Sequence, residues 1–115
     1  MDNNVNAYLK KWLTIAHEIT SIYGEDVFLT ITDTEELLKY IPLHGLNLNL
    51  KEGMKVDIDS GAYKAIEAKK QIQVIIDKEA YGEAIKLVST PLIDTTGRIV
   101  GTINIGRSLD RQIMV

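Results

Sequence analysis

Val5, Leu9, Trp12, Ala16, Ile19 and Tyr23 follow one another at spacings of 4, 3, 4, 3 and 4. That is the rhythm of one helix face, and it predicts an amphipathic helix over about residues 3–23. Tyr8, Ile15 and Ile22 widen the apolar face beyond what one small core needs. Gly24 stands where a helix commonly ends. The period then changes to two. Val27, Leu29 and Ile31 alternate with Phe28, Thr30 and Thr32, a strand pattern rich in β-formers. Asp33-Thr34-Glu35 predicts a turn, and Leu37 to Ile41 a second strand closed by Pro42. The pair reads as a hairpin without the Asn-Gly signal.

Leu46, Leu48 and Leu50 alternate with Asn47 and Asn49, which predicts an extended piece lying on the core. Asp59 or Ser60 can cap a short helix running to about Lys70. Its apolar positions are mostly small: Ala62, Ala65 and Ala68, with Tyr63 and Ile66. Ile72, Val74 and Ile76 predict a third strand, and residues 77–81 a turn before Gly82. Ile85, Leu87 and Val88 lead a fourth strand to Pro91. Asp94-Thr95-Thr96-Gly97 is the clearest turn signal in the chain. Ile99, Ile103 and Ile105 line one face of a fifth strand, with Thr102 and Asn104 on the other. The order predicts an α+β domain of five strands with helices on one side.

Composition narrows the picture. At 115 residues, 45% apolar and 25% charged, the chain has the profile of one soluble globular domain. A net charge of −3 argues against a general nucleic-acid binder. With no cysteine, disulfides, zinc–thiolate sites, iron–sulfur clusters and thiol catalysis are excluded. No stretch approaches the ~20 apolar residues of a membrane span, and no membrane contact is expected. The acidic, polar start differs from a signal peptide, so a cytoplasmic location is expected.

The segment Leu87-Val88-Ser89-Thr90-Pro91-Leu92-Ile93-Asp94-Thr95-Thr96-Gly97-Arg98-Ile99-Val100-Gly101-Thr102-Ile103-Asn104-Ile105 resembles the last hairpin of PAS-type sensor domains or the related Cache type. Ser60-Gly61-Ala62-Tyr63-Lys64-Ala65-Ile66, with Lys69-Lys70, is similar to their short helix before the third strand. With the N-terminal helix, the chain most resembles sensor modules of bacterial methyl-accepting chemotaxis receptors. The resemblance implies a five-stranded antiparallel sheet of order 2-1-5-4-3 and a ligand pocket between sheet and helices. It divides the chain into a helix over residues 1–24, a sensor domain over 25–107 and the start of a connector helix over 108–115. A Cache domain usually lies outside the cytoplasm, and an extracytoplasmic fragment would read the same.

Several motifs have blander explanations. Gly101-Thr102-Ile103-Asn104-Ile105-Gly106-Arg107-Ser108 nearly spells a phosphate loop, with Arg in place of Lys. Its interior alternates as a strand, so Gly101 reads as a close-packing or bulge position. Asp57-Ile58-Asp59-Ser60-Gly61 with Glu67 hints at a calcium loop, but the glycine and glutamate are one position out of register. Capping by Asp59 or Ser60 accounts for these residues better. His17 and His44 are the two histidines. No cofactor is expected; His44, after Pro42, is the better of the two for haem. Nucleophilic catalysis has no motif behind it, and no enzymatic activity is expected.

With strands one and five paired, Thr30, Thr102 and Asn104 are polar positions on neighbouring strands. Lys86 and Thr90 lie on the adjacent strand, and Tyr63 projects from the short helix. These six residues are the candidate ligand site, and Lys86 would favour an anionic ligand such as a carboxylate. The competing reading puts them on a solvent-facing side of the sheet. The helical stripe of Val5, Leu9, Trp12, Ala16, Ile19 and Tyr23 has heptad-like spacing and is the candidate homodimer seam. The role the resemblance implies is ligand sensing in a larger bacterial signalling protein, a chemoreceptor. The alternative is a ligand-free dimerisation or protein-interaction module.

Overall fold

The structure is a computed structural model that describes residues 6–24 and 26–111. Asn6 starts the first helix. Its side-chain oxygen accepts from the backbone N–H of Tyr8 (2.8 Å) and Leu9 (3.3 Å), groups a helix start leaves unpaired. Helix α1 accordingly spans Ala7–Tyr23 and ends at Gly24, whose φ is +83°. Asn3 and Val5 of the expected helix lie outside the described residues.

Strands β1 (Val27–Thr32) and β2 (Leu37–Ile41) form the expected hairpin. Asp33 makes its turn without Asn-Gly: the carboxylate accepts from Glu35 and Glu36 N–H, both at 2.7 Å. Helix α2 (Gly61–Ala68) is capped by the Ser60 hydroxyl, which accepts from Tyr63 N–H at 3.1 Å. Strand β3 spans Ile72–Ile76. The expected turn at 77–81 is a single helical turn, α3 (Lys78–Tyr81), stopped by Gly82. Strands β4 (Ile85–Ile93) and β5 (Ile99–Ser108) are the longest. Asp94 organises their turn by accepting from Thr96 N–H and from Arg98 N–H.

The five strands form one antiparallel sheet in the order β2-β1-β5-β4-β3. Strand β4 runs on through Pro91 to Ile93, two residues past the expected end. β3 stops pairing at Ile72, opposite Ser89. Pro91 therefore sits where β4 has a neighbour on one side only, and its missing N–H costs no ladder bond. Ser108 ends β5, and Leu109–Arg111 turn away. Of the expected connector helix, residues 112–115 lie outside the described residues.

The helices lie on both sides of the sheet, not on one. All six residues of β1 are buried, as in a strand covered on both faces. On the first face α1 lays Leu9 and Ala16 against Leu29, Ile31, Leu92 and Ile103. On the second face Phe28 and Ile85 pack with Leu43 and Leu48 of the crossing segment. Leu46 and Leu50 join them while Asn47 and Asn49 face out, as their alternation predicts. Helix α2 closes the rest of this second face. Phe28 lies flat on Gly106, where a Cβ would run into its ring.

Two substitutions test this packing by urea unfolding. Gly106→Ala should cost about 1–3 kcal/mol through overpacking against Phe28. Leu9→Ala should cost about 2–5 kcal/mol. A near-zero cost for Leu9→Ala would mean α1 does not belong to the domain's core.

Candidate functional site

The second face carries a row of polar side chains. Antiparallel partners share a face, so Thr30 lies beside Asn104, Asn104 beside Ser89, and Thr32 beside Thr102. All five are buried; Thr102, Ser89 and Asn104 are 0%, 1% and 4% exposed. The solvent-facing reading of Thr30, Thr102 and Asn104 therefore does not hold. Thr32 and Thr102 share a hydroxyl hydrogen bond of 2.8 Å, and the Asn104 Nδ2 donates to Thr102 Oγ1 at 3.0 Å. The row ends unsatisfied. Asn104 Oδ1 and Ser89 Oγ, from directly opposed residues on β5 and β4, have no hydrogen-bond partner. Unmet buried polar atoms are uncommon and cost about 1–3 kcal/mol each.

The N-terminus of α2 lies directly over this pair. Gly61, Ala62 and Ala65 form its buried face. A Cβ on Gly61 would stand 2.5 Å from Ser89 Oγ and 3.0 Å from the Leu87 side chain. Small residues let the helix backbone settle onto β4. The expected pocket between sheet and α2 is thus a closed polar contact.

The structure brings together Thr30, Thr102 and Asn104 of the six predicted site residues. Lys86 and Thr90 point to the opposite face. Lys86 pairs with Arg107 and is exposed, and Thr90 pairs with Ile103 on the α1 side. A bulge is the cause. Ile93 is paired with Ile99 but Leu92 with Gly101, so Val100 is an extra residue in β5. Continuing the Ile93–Ile99 register would have set Thr90 opposite Thr102. One inserted residue moves every β4 side chain to the other face. Ser89 and Thr32 replace them as row members. Ser89 was hidden by the bulge; Thr32 was legible from its alternation with Ile31. Tyr63 is half-buried on α2. Gly101 meets the Thr32 carbonyl where a Cβ would stand, and residues 101–108 are strand throughout.

The predicted dimer seam is largely used within the chain. Leu9 and Ala16 are buried in the α1-side core, and Trp12 and Ile19 pack against it. Buried in the protomer, Leu9 and Ala16 have no surface to offer a partner. Tyr23 is exposed, and Val5 lies outside the described residues. Besides Tyr23, Ile15 (43% exposed) and Ile22 (80% exposed) are open apolar positions of α1.

A second construction gathers at the end of β5. Arg111 grips Glu83 with two hydrogen bonds (2.9 and 2.7 Å) and donates a third to the His44 carbonyl at 2.6 Å. The Ser108 hydroxyl donates to the same Glu83 carboxylate. Asp110 accepts from Ala84 N–H, and Leu109 N–H donates to the Ala84 carbonyl. The hydrogen bonds from Arg111 and then Ser108 hold the Glu83 carboxyl below its ordinary range, and the same pair raises Arg111. His44 lines an open groove with Thr20, Val27, Tyr40 and Leu46. His17 is exposed on α1. Among the described residues, no three His, Asp or Glu side chains gather where a metal ion could be held. Ser60, not Asp59, caps α2, so the calcium-like spelling is a helix start.

Two comparisons with known proteins bear on this arrangement. No family model matches the chain. The chain is 29% identical over 104 residues to a Bacillus subtilis (strain 168) protein named "Putative sensory transducer protein YfmS", a match covering 90% of this chain and 36% of that protein. The chain thus spans little more than a third of its relative's length. Its fold is similar to that of a chain in the crystal structure of the E. coli DhaR(N)-DhaL complex. The TM-score is 0.65 at 18% identity, covering 92% of this chain and 41% of that one. At this identity the second likeness is one of fold. The fold class is therefore a five-stranded antiparallel α+β domain, and the first similarity fits a sensor domain in signal transduction.

Three substitutions test the two constructions. Ser89→Ala should be neutral or stabilising, because it removes an unpaired buried hydroxyl. Thr102→Val should cost about 1–3 kcal/mol, because it strips Thr32 and Asn104 of their partner. A carboxyl lowered on folding stabilises the fold above its ordinary pKa and loses that contribution as pH falls through the lowered value. Glu83→Gln should therefore cost about 1 kcal/mol at neutral pH and less in acid. An equal cost at both pH values would count against the ion pair.

Proposed function

We propose that this chain is the signal-sensing domain of a bacterial signal transduction protein, of the PAS or Cache type, and that its parent is a chemoreceptor. The observation that carries this reading is the sealed polar row under α2, with two buried polar atoms left unpaired. A purely structural core would gain stability by replacing them with apolar groups. A small ligand entering between the sheet and α2 would satisfy both atoms and lift or re-seat the helix. It would favour one packing over another by its difference in affinity for the two. Strand β5, which carries Thr102 and Asn104, would pass that shift to its end at Ser108–Arg111. In this reading the domain has no catalysis of its own, works in the cytoplasm and reports to an output domain.

A second reading has its own observation. Ile15 and Ile22 stand exposed one heptad apart on α1, with Tyr8 one heptad before them. This line fits a homodimer contact or another protein partner, and the fold relative is itself part of a complex. The domain would then be an interaction module that needs no ligand.

Native mass spectrometry of the purified protein, repeated after denaturation, separates the two. A non-covalent small-molecule mass lost on denaturation is the expected result. A dimer without added mass, unchanged by cell-extract metabolites, favours the interaction module. A bare monomer sinks the dimer contact at Ile15 and Ile22.

A further inference from the structure

We infer that the ligand taken by the polar row is a small uncharged molecule carrying an N–H or O–H donor, held by Asn104 Oδ1 and Ser89 Oγ. This rests on the sensor reading above and narrows it, replacing the anionic ligand that Lys86 suggested. The inventory of the second face supports it. By register, Phe28, Leu37, Tyr40, Leu87 and Pro91 share the face with the threonines, Asn104 and Ser89. Among the described residues paired on this face, none is Lys, Arg, Asp or Glu. Helix α2 turns Gly61, Ala62 and Ala65 toward it, and its Lys64, Glu67 and Lys69 are exposed.

Arg107 of β5 lies on the opposite face, and on this face the strand reaches a charge at Glu83, through Ser108. Ser108 stands four residues beyond Asn104, about 13 Å along a strand, and that carboxylate is already paired with Arg111. A charged ligand under α2 would be buried with no charged side chain to face it; the α2 N-terminus offers only a partial positive charge, which does not repay the burial of a full carboxylate. An amide or hydroxyl group suffers no such penalty.

The donor pattern is set by the row itself. The Asn104 amide nitrogen is engaged by Thr102, which leaves its oxygen to accept. Ser89 Oγ can donate or accept. The two residues face each other across β5 and β4 yet do not bond. A group that donates to Asn104 and exchanges a bond with Ser89 bridges them. Gly61 rests directly on Ser89, so α2 has to lift off the sheet for such a group to enter, and the bare Gly61 leaves no side chain interlocked with β4 to resist that movement.

Acetamide and acetate test this, since they match in shape and differ in charge. Each is titrated into the isotope-labelled protein and followed by two-dimensional amide NMR. Acetamide should give saturable shifts at Ser89, Asn104 and Gly61, with millimolar affinity, and acetate should give none there. Ser89→Ala should weaken acetamide about three- to tenfold, the loss of one hydrogen bond, while the variant stays folded. Acetate shifting the same amides equally would overturn the uncharged class and leave a ligand site in place. Shifts elsewhere, shifts indifferent to Ser89→Ala, or no response to either probe would overturn the assignment to Asn104 and Ser89. The sensor reading is judged separately by the mass bound as purified: an anion found there overturns the uncharged class alone.

Discussion

The contact of Gly61 with Ser89 sets the character of the whole second face. A helix can approach a sheet that closely only if its inner side is nearly bare, and Gly61, Ala62 and Ala65 make it so. The approach excludes water from Ser89 beneath it, and Thr30, Thr32, Thr102 and Asn104 are buried along the same face. Five polar side chains then have to satisfy one another. Three do, through the Thr32–Thr102–Asn104 chain of hydrogen bonds. The atoms left unpaired are the Asn104 Oδ1 acceptor and the Ser89 hydroxyl, on residues that face each other without bonding. In a low-dielectric interior, a partly satisfied network costs more than an apolar one. The ligand reading takes its force from that cost.

The first face is built differently. Leu9 and Ala16 press on Leu29, Ile31 and Ile103 in an apolar contact with no polar row. The two faces divide the labour: α1 supplies burial and rigidity, and α2 covers the polar row. Strand β5 belongs to both, since Ile103 faces α1 while Thr102 and Asn104 face α2. A change in the row is thereby felt in the strand that anchors the rest of the sheet.

Strands β1, β2 and β3 were legible because each is a short run of β-forming residues closed by a turn former or a proline. Helix α1 was legible as amphipathic, but periodicity says only that an apolar stripe is covered, not by whom. Leu9 and Ala16 meet the chain's own sheet, a matter of tertiary packing that no local pattern contains. In the site, Thr30, Thr102 and Asn104 could be grouped because the β1–β5 pairing is regular. Lys86 and Thr90 could not be placed, since one bulged residue, Val100, inverts the facing of β4. Nothing local marks that bulge except Gly101, whose missing side chain admits the Thr32 carbonyl.

The grip of Arg111 on Glu83 and on the His44 carbonyl has a mechanical side. Arg111 and Ser108 both hold the Glu83 carboxylate, Arg111 also holds the His44 carbonyl, and Asp110 and Leu109 hold the backbone of Ala84. A pull on the chain at Arg111 loads these bonds side by side, so they share the force and resist until they give way together. A sideways push from the His44 loop meets a single carbonyl contact. The exit of β5 is therefore stiff to tension and compliant to a shift of its neighbouring loop, the behaviour of a latch and not of a hinge.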